Sequence, residues 1–592
     1  MRKINFISGI ILLLCLFMFS CQDNITNYLD KPPGIDVTED TIFSSKKEVE
    51  TFIAGTYFFG LNSIFPYAAY NGGSPGMPEW LLNPNPSYCM TSPITDESEM
   101  GDSWYSSQQW NSASINPTYI VYQEDERWFL RWRAIRNANI LIERIPTVPN
   151  VDDTYKKQIN GEARFIRAIN NFEMFKRYGG MPIVNKRLGG SDDLLQMTRK
   201  PLAEFVKFIV SDCDTAILNL PATYPSNQRG RATSLAARAL KAKALLFAAS
   251  PLFNTDTPYL NNSTTNLLVT YGNYDKNRWE AAATAAKEVI DNATASGCNL
   301  ITNQGADKNY KYAWEVNDNT EIILAAKATG PINVYYDPWR QLLPVGFSIS
   351  IGCWSMPCVT HNFVMLYDKK DGTKQTWDLV NGGDNLSQKY SELDNRFKQT
   401  IAYNGSYWNS VITNVETFEG GKHISMNKTG AFMHKLIPDL FVGGNEKANP
   451  NDILFRLAEA YLSYAEALNE FNDAPPAEAY NAVNTIRSRS GMPNVSSLSK
   501  DQFREMIQKE RAIELAFEDH RLWDIRRWMI AENDGVMKGN IYGVKITKIT
   551  GSTEFHYQPF VVESRFFNRN MYLHPLPQKE VNKGYLIQNP GW

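Results

Sequence analysis

The chain has 592 residues, and its 60 basic and 63 acidic residues nearly cancel. A balanced charge argues against a nucleic-acid-binding protein, which needs a basic footprint for the phosphates. The length alone suggests about three or four domains. Aromatic residues make up 12 % of the chain. Most of them belong in a core, but a surplus of Trp and Tyr also suits stacking on the flat apolar faces of sugars or peptides.

The N-terminus has the pattern of a secretory signal, which we assign to residues 1–20. Arg2 and Lys3 give a charged start, and Ile10 to Phe19 is an unbroken apolar run. That run is shorter than the roughly 20 residues that span a bilayer. Cys21 directly follows Ser20, as in the lipobox of bacterial lipoproteins. We therefore expect Cys21 to be acylated, for example with palmitate, and its acyl chains to hold the body at a membrane surface. An ordinary signal with a chance cysteine is the alternative.

Five cysteines remain after Cys15 and Cys21 are set aside, and an odd number in an exported chain leaves at least one unpaired. Cys353 and Cys358 are close enough in sequence for a small-loop disulfide. No ligand spacing near them supports a metal site, and we expect no metal or other cofactor.

Helical periodicity dominates two parts of the chain. Apolar residues recur at spacings of three and four in the segments 46–60, 126–145, 156–178, 200–219, 232–249 and 277–295. The period returns in 452–471, 476–490 and 500–530. Asn451 or Asp452 is the predicted N-cap of the first of these, and Ser499 with Gln502 forms a capping box at the last. Helix pairs of this size are typical of tetratricopeptide-type hairpins.

Two long regions, roughly 61–120 and 300–450, show no sustained period. They are rich in Gly, Pro, Asn, Tyr and Trp. Loops of this length inside a compact protein are usually functional or disordered, and their aromatic content argues against disorder.

The predicted apolar face of the 500–530 helix contains two acidic residues. Glu510 and Glu514 lie one turn apart on the face that should be buried, and arginines crowd around them. Paired carboxylates could serve acid–base catalysis, as in glycoside hydrolysis. We favour an internal ion-pair network, because inward-facing charges must be paired and a neutralised carboxylate is a poor acid at neutral pH.

Other catalytic signatures are missing from the sequence. There is no G-x-S-x-G, H-E-x-x-H, P-loop or G-x-G-x-x-G motif. The six histidines are scattered, and we interpret each as a packed or surface residue. We therefore expect a protein that is not an enzyme.

Several segments together resemble the SusD/RagB family, the surface nutrient-binding lipoproteins of Bacteroidetes. They run in the expected order along the chain: Gly161–Ala168 (GEARFIRA), Arg177–Pro182 (RYGGMP), Arg231–Ala242, Ala249–Asn254 (ASPLFN), Asp452–Glu459 (DILFRLAE), Glu510–Glu518, His520–Trp528 (HRLWDIRRW) and Gln588–Trp592 (QNPGW). Asp519 stands where the family usually has glycine, and we expect the helix to tolerate it.

The resemblance implies a mainly α fold with about four tetratricopeptide-like hairpins and irregular insertions that hold the ligand. It divides the chain into a signal peptide (1–20), a lipidated tether (21–45) and one body (46–592). The hairpins would occupy roughly 126–295 and 451–530. The family also implies a lipid-anchored protein on the outer face of the outer membrane, which captures oligosaccharides and delivers them to a SusC-type TonB-dependent transporter in polysaccharide utilisation.

Ligand sites in this family lie in variable loops, so no binding residue transfers by motif. We instead predict aromatic platforms from the two irregular regions, with polar neighbours as hydrogen-bond partners. The platforms are Trp80, Trp104, Trp110, Tyr335 and Trp339, and the polar partners are Asp102, Asn111 and Arg340. Packing in a core or an interface is the alternative for each. Peptide cargo, as in some RagB-like relatives, and a surface glycoside hydrolase remain alternative functions.

Overall fold

The computed structural model describes residues 39–62, 91–101, 107–118, 127–327, 331–333, 342–347, 357–440, 446–449 and 451–592. Ten helices are labelled here: α1 Lys46–Asn62, α2 Trp128–Arg144, α3 Asp153–Tyr178, α4 Leu202–Asn219, α5 Ser234–Ala249, α6 Asn277–Ala293, α7 Leu457–Phe471, α8 Ala477–Arg489, α9 Lys500–Glu514 and α10 Arg521–Arg527. Shorter helices are Glu39–Ile42, Ser107–Asn111, Asn266–Val269, Asn309–Glu315, His361–Val364, Leu386–Ser391, Phe397–Thr400 and Gln578–Val581.

The long helices form a consecutive array. Each of α2 to α7 packs on the helix before it, α8 and α9 both pack on α7, and α1 covers α2 and α3. This order gives the pairs α2/α3, α4/α5, α6/α7 and α8/α9, so the predicted mainly α fold with tetratricopeptide-like hairpins is confirmed. The members of the third pair are separated by residues 294–456, so the second irregular region is an insertion within one helix pair.

Local signals fix the ends of several helices. The Asp152 side chain accepts from the Tyr155 amide at 2.7 Å to cap α3. Gly179 ends α3 with φ of +81°, and a Cβ there would lie 2.4 Å from the Leu268 carbonyl oxygen. Only glycine permits both the left-handed backbone and this close approach. The capping box of Ser499 and Gln502 at α9 is confirmed.

Most strands are short and belong to the irregular regions, and two longer strands follow α10 in the C-terminal part of the chain. The strands are β1 Ser98–Glu99, β2 Ile322–Ala326, β3 Ile332–Asn333, β4 Cys358–Val359, β5 Ile401–Tyr403, β6 Ala431–Met433, β7 Lys447–Ala448, β8 Asp452–Arg456, β9 Gly539–Lys548 and β10 Phe555–Arg565. An antiparallel sheet has the order β1-β4-β6-β5, while β2/β8, β3/β7 and β9/β10 form antiparallel pairs. A second apolar core lies beneath these strands and packs against the C-terminal end of α9.

Two features near the predicted boundaries differ from expectation. The segment 452–456 is strand β8, and α7 begins at Leu457 with Arg456 as its N-cap residue, so the predicted cap at Asn451 or Asp452 is wrong. All five residues of β8 are buried. The sequence of a strand that is buried on both faces has no alternating pattern, so it cannot be distinguished from the first turn of an apolar helix. In addition, contacts to the body begin before residue 46, because Phe43 is 3 % exposed and packs with α1 and α2.

The predicted single helix over 500–530 is also wrong. Helix α9 ends at Glu514, and α10 begins at Arg521. Phe517 and Asp519 between them both have φ of +59°. Glycine is the usual residue at a left-handed position. Asp519 therefore lies in a turn, and the expectation that it is tolerated within a helix is wrong.

The Cys358 side chain is buried as a thiol. Its Sγ donates to the Met426 carbonyl at 3.4 Å, and burial raises the pKa of the thiol to about 12. Cys353, the partner proposed from sequence, lies outside the described residues.

Candidate functional site

The carboxylates on the buried face of α9 are fully neutralised by arginines. Glu510 accepts from Arg396 at 2.5 Å and from Arg487 at 3.0 Å. Glu514 accepts from Arg396 at 3.1 Å, from Arg456 at 2.7 Å and from Arg489. The interpretation as an internal ion-pair network is confirmed by these contacts.

Electrostatics and burial make this pair unsuited to acid catalysis. Burial raises the pKa of Glu514, but Arg489 and Arg456 outweigh it and the pKa falls to about 2. Both carboxylates are at most 1 % exposed. A general acid needs a proton near neutral pH and contact with substrate, and Glu510 and Glu514 have neither.

Two of the predicted ligand residues lie in the described part of the chain, and both are buried. Trp110 is 3 % exposed. Its ring centroid is 4.8 Å from that of His574, and the Arg526 guanidinium carbon lies 4.8 Å from the Trp110 ring. Asn111, also 3 % exposed, donates to the Pro93 carbonyl and to Glu563, both at 3.1 Å. Trp110 therefore packs in the core, and Asn111 ties its own loop to β10. The remaining predicted residues, namely Cys21, Trp80, Asp102, Trp104, Tyr335, Trp339 and Arg340, lie outside the described residues.

Strand pairing brings the two irregular regions together. Strand β1 precedes Asp102 and Trp104 in sequence, and it pairs with β4 of the second region through Ser98–Val359 and Glu99–Cys358. Strand β3 directly precedes Tyr335, and it pairs with β7. The β1–β4 pair therefore joins the two irregular regions, whereas β3 belongs to a separate two-stranded pair within the second region.

An exposed aromatic side chain stands on a loop of the second region whose base is held by hydrogen bonds. Tyr407 is 63 % exposed, and Val411 on the same loop is 69 % exposed. Asn409 fixes the loop by donating to the Asp439 carbonyl at 2.6 Å, and the Asp439 side chain bonds to His434 at 2.6 Å. Nothing in the pattern of 300–450 distinguishes Tyr407 from its neighbours except the turn-forming residues Gly405 and Asn409 on either side.

His361 is packed in the second core, and His556 lies at the surface beside Asp384. Burial lowers the pKa of His361 to about 3, and its ring meets Trp377 edge-on at 4.7 Å. Within the described ranges, no three His, Cys, Asp or Glu side chains converge as metal ligands. No described helix is both long and apolar enough to cross a membrane.

Family models match both halves of the chain. A model described as "SusD family" matches residues 301–592, and one described as "Starch-binding associating with outer membrane" matches residues 27–246. Among curated proteins, a SusD-like protein of Formosa agariphila is 22 % identical over 534 residues, covering 86 % of this chain and 88 % of that protein. A SusD-like protein of Bacteroides ovatus is 25 % identical over 436 residues, covering 70 % of this chain and 68 % of that protein.

Solved structures share the fold over nearly the whole chain. A SusD-like protein from Bacteroides fragilis superposes with a TM-score of 0.75 at 24 % identity, covering 95 % of this chain and all of the other. A laminarin-binding SusD-like protein gives a TM-score of 0.61 at 20 % identity, covering 93 % and 100 %. An array of helix pairs with a long insertion between α6 and α7 defines a class of helical scaffolds. Within that class, the chain belongs to the SusD/RagB family.

Proposed function

We propose that the protein is a cell-surface lipoprotein, anchored through Cys21 in the outer membrane, that captures oligosaccharides for a SusC-type TonB-dependent transporter. The observation that carries the proposal is the meeting of the two irregular, aromatic-rich regions at the β1–β4 pair. Support comes from the starch-binding, outer-membrane description of the matched family model and from the laminarin-binding structural neighbour. The buried, arginine-paired state of Glu510 and Glu514 favours binding without hydrolysis.

Ligand contact would come from stacking of sugar rings on exposed aromatic faces. Trp104 and Trp339 from the two regions are the proposed platforms, with Asp102 and Arg340 as polar partners. Tyr407 joins them as a third platform because its ring is exposed on a loop with a fixed base. An aromatic face contributes about 0.5–1.5 kcal/mol beyond the area it buries.

A glycan array followed by calorimetry on the mature chain tests the proposal. We expect binding of an oligosaccharide without release of new reducing ends. Trp104→Ala, Trp339→Ala and Tyr407→Ala should each weaken binding by about tenfold, which corresponds to about 1.4 kcal/mol. Tyr274→Ala is the matched control, because Tyr274 is 61 % exposed before α6 in the helical array. Binding of peptides but not glycans would support the alternative cargo, and unchanged affinity in all three variants would refute the site.

A further inference from the structure

The described part of the body begins at Glu39, and ion pairs fix this end beside the segment that follows α3. The Glu39 carboxylate bonds to the Arg187 guanidinium. The neighbouring Asp40 accepts from Arg144, at the end of α2, across 2.6 Å. The proposed lipidated tether therefore joins the body beside Arg187.

Two exposed leucines lie on a turn that continues from the same segment. Lys186 donates to one carboxylate oxygen of Asp192 at 2.7 Å, and the Gly189 amide donates to the other oxygen at 2.7 Å. These bonds fold the loop back toward Lys186, and a short helical turn follows. On that turn Leu194 is 50 % exposed and Leu195 is 56 % exposed. Both side chains thus face solvent near the point where the tether joins the body.

A segment close to the C-terminus adds a third apolar side chain. A Cβ on Gly584 would lie 3.5 Å from the Leu195 Cδ2 atom, so the leucine turn packs against this segment. Ile587 follows three residues later and is 51 % exposed. We name Leu194, Leu195 and Ile587 the aliphatic patch.

The buried Arg199 side chain fixes both parts of the aliphatic patch to the end of α3. Its guanidinium donates to the carbonyls of Tyr178 at 2.6 Å and Gly180 at 2.7 Å. It also donates to the Ile587 carbonyl and to the Asn589 side chain, both at 2.9 Å. The patch is therefore formed before any partner arrives, and a preformed surface loses little conformational entropy on binding.

The charges around the aliphatic patch cancel in pairs. Lys186 is 57 % exposed and is paired with Asp192. Lys583 is 54 % exposed and is paired with Glu580 at 2.8 Å. A rim without excess charge does not select a charged partner, whereas the exposed aliphatic groups gain free energy on transfer from water to an apolar phase. The patch therefore suits a lipid interface with neutral headgroups.

We infer that the aliphatic patch is a membrane-contact surface, which enters the headgroup region of the bilayer that holds the lipid anchor. The inference rests on the proposed function for the anchor at Cys21. Residues 22–38 separate Cys21 from Glu39 and span at most about 60 Å. A short link gives a high effective concentration of the patch at the bilayer, so a weak apolar contact is sufficient. Tether and patch together would then fix the orientation of the body on the membrane.

Flotation with phosphatidylcholine vesicles tests this contact. The mature chain carries Cys21→Ser, so that any binding comes from the body itself. We expect flotation that is no weaker at about 0.5 M than at about 0.05 M NaCl, because salt screens charges and leaves apolar contacts in place. Leu194→Asn combined with Leu195→Asn should lower the partition coefficient by about tenfold or more. Leu218→Asn is the matched control, since Leu218 is 85 % exposed on α4.

Chemical acetylation of lysines, read by mass spectrometry, locates the contact in the acylated protein. Lys583 precedes Gly584, on which Leu195 packs. Lys545 on β9 is the reference, because it is 56 % exposed and paired with a glutamate as Lys583 is. Reconstitution into vesicles should slow the modification of Lys583 by about threefold or more and leave Lys545 unchanged. The double leucine variant should modify Lys583 at the rate seen without vesicles, and its melting temperature should stay within about 1 °C of the wild type.

The outcomes separate the membrane contact from the proposed function. Absence of flotation, or equal flotation of the double leucine variant and Leu218→Asn, overturns the contact. Self-association or transporter binding that requires the two leucines, without flotation, assigns the aliphatic patch to a protein and also overturns the contact. Flotation of a protein that binds no glycan supports the contact and refutes the proposed function. Glycan binding by a protein that does not float supports the function and refutes the contact.

Discussion

Arg456 at the end of β8 donates to Glu514 at the end of α9 across 2.7 Å, and both side chains are buried. The same guanidinium reaches Glu518 at 2.8 Å and Glu321 at 3.0 Å. It therefore joins the strand that closes the insertion to the last turn of the helical array. The scaffold and the insertion are connected by charge as well as by apolar packing.

Glu514→Gln should destabilise the protein strongly. Removal of the Glu514 charge takes one of the carboxylate partners from the buried guanidinium groups of Arg456 and Arg489, and breaking a buried ion pair costs about 3–5 kcal/mol. Urea unfolding measures the loss. Glu505→Gln on the exposed face of α9 is the control and should lie within about 0.5 kcal/mol of the wild type. A wild-type midpoint for Glu514→Gln would show that the network adds little to stability.

Asp519 carries a conformational cost that its contacts offset. Its left-handed backbone favours glycine, but its carboxylate accepts from Thr91 at 2.7 Å and from Trp523 at 3.2 Å. Loss of these bonds costs about 1–3 kcal/mol for each buried donor left unpaired, against about 1–3 kcal/mol of strain removed by glycine. We expect stability to fall in the order Asp, Asn, Gly, Ala, because Asn keeps an acceptor and tolerates the left-handed region. Thermal unfolding of the three variants checks the order, and an Asp519→Gly protein more stable than the wild type contradicts it.

The capping box of α9 gives a smaller effect. Ser499→Ala removes the side-chain acceptor for the Gln502 amide and should cost about 1 kcal/mol. Ser496→Ala, in the preceding exposed loop, is the control. Equal chemical midpoints for the two variants would indicate that α7 and α8 alone hold the start of α9.

Because of Glu97, the free energy of unfolding should decrease as the pH rises. Burial raises its pKa to about 8, above the ordinary value of 4.5, against the Phe517 amide and Arg521. A raised carboxyl pKa stabilises the fold fully below about pH 4.5, and that contribution is lost as the pH rises through about 8. Each pH unit within this window changes the free energy of unfolding by about 1.4 kcal/mol.

Glu97→Gln isolates this contribution, because Gln keeps the acceptor for the Phe517 amide. Compared at pH 5, 7 and 8.5 by urea unfolding, the variant should lose less stability than the wild type. Lys435 also faces this site with a pKa lowered by burial to about 8, and it is present in both proteins. Parallel pH profiles for the wild type and Glu97→Gln would show that the Glu97 carboxyl group does not cause the loss of stability.

The sequence predicts the helical scaffold well because its signals are local. Each helix carries its own signals in or beside its sequence. They are the apolar spacing, the N-caps Asp152 and Ser499, and the Gly179–Gly180 pair that ends α3. The break after Glu514 was not predicted, because the apolar stripe continues through Phe517 and only tertiary contacts of Asp519 reveal the turn.

The site is harder to predict because its chemistry depends on which side chains face water. Trp110 lies among Gly- and Pro-rich residues like Trp104, yet its ring is packed beside His574 and Arg526. Asn111 is a partner of Glu563 across more than 450 residues of sequence, and no spacing rule connects them. Strand pairs of two residues, such as β1 with β4, are also too short to leave an alternating pattern.

The β1–β4 and β3–β7 pairs have a consequence for how such receptors diversify. Ladder bonds between strands use main-chain atoms, so they place little demand on side-chain identity. The stretches that follow β1 and β3 can therefore exchange residues during evolution while the arginine-laced framework stays constant. Under the proposed function, a lineage facing a new polysaccharide could change its specificity in these segments and in the Tyr407 loop while the residues that govern folding are kept.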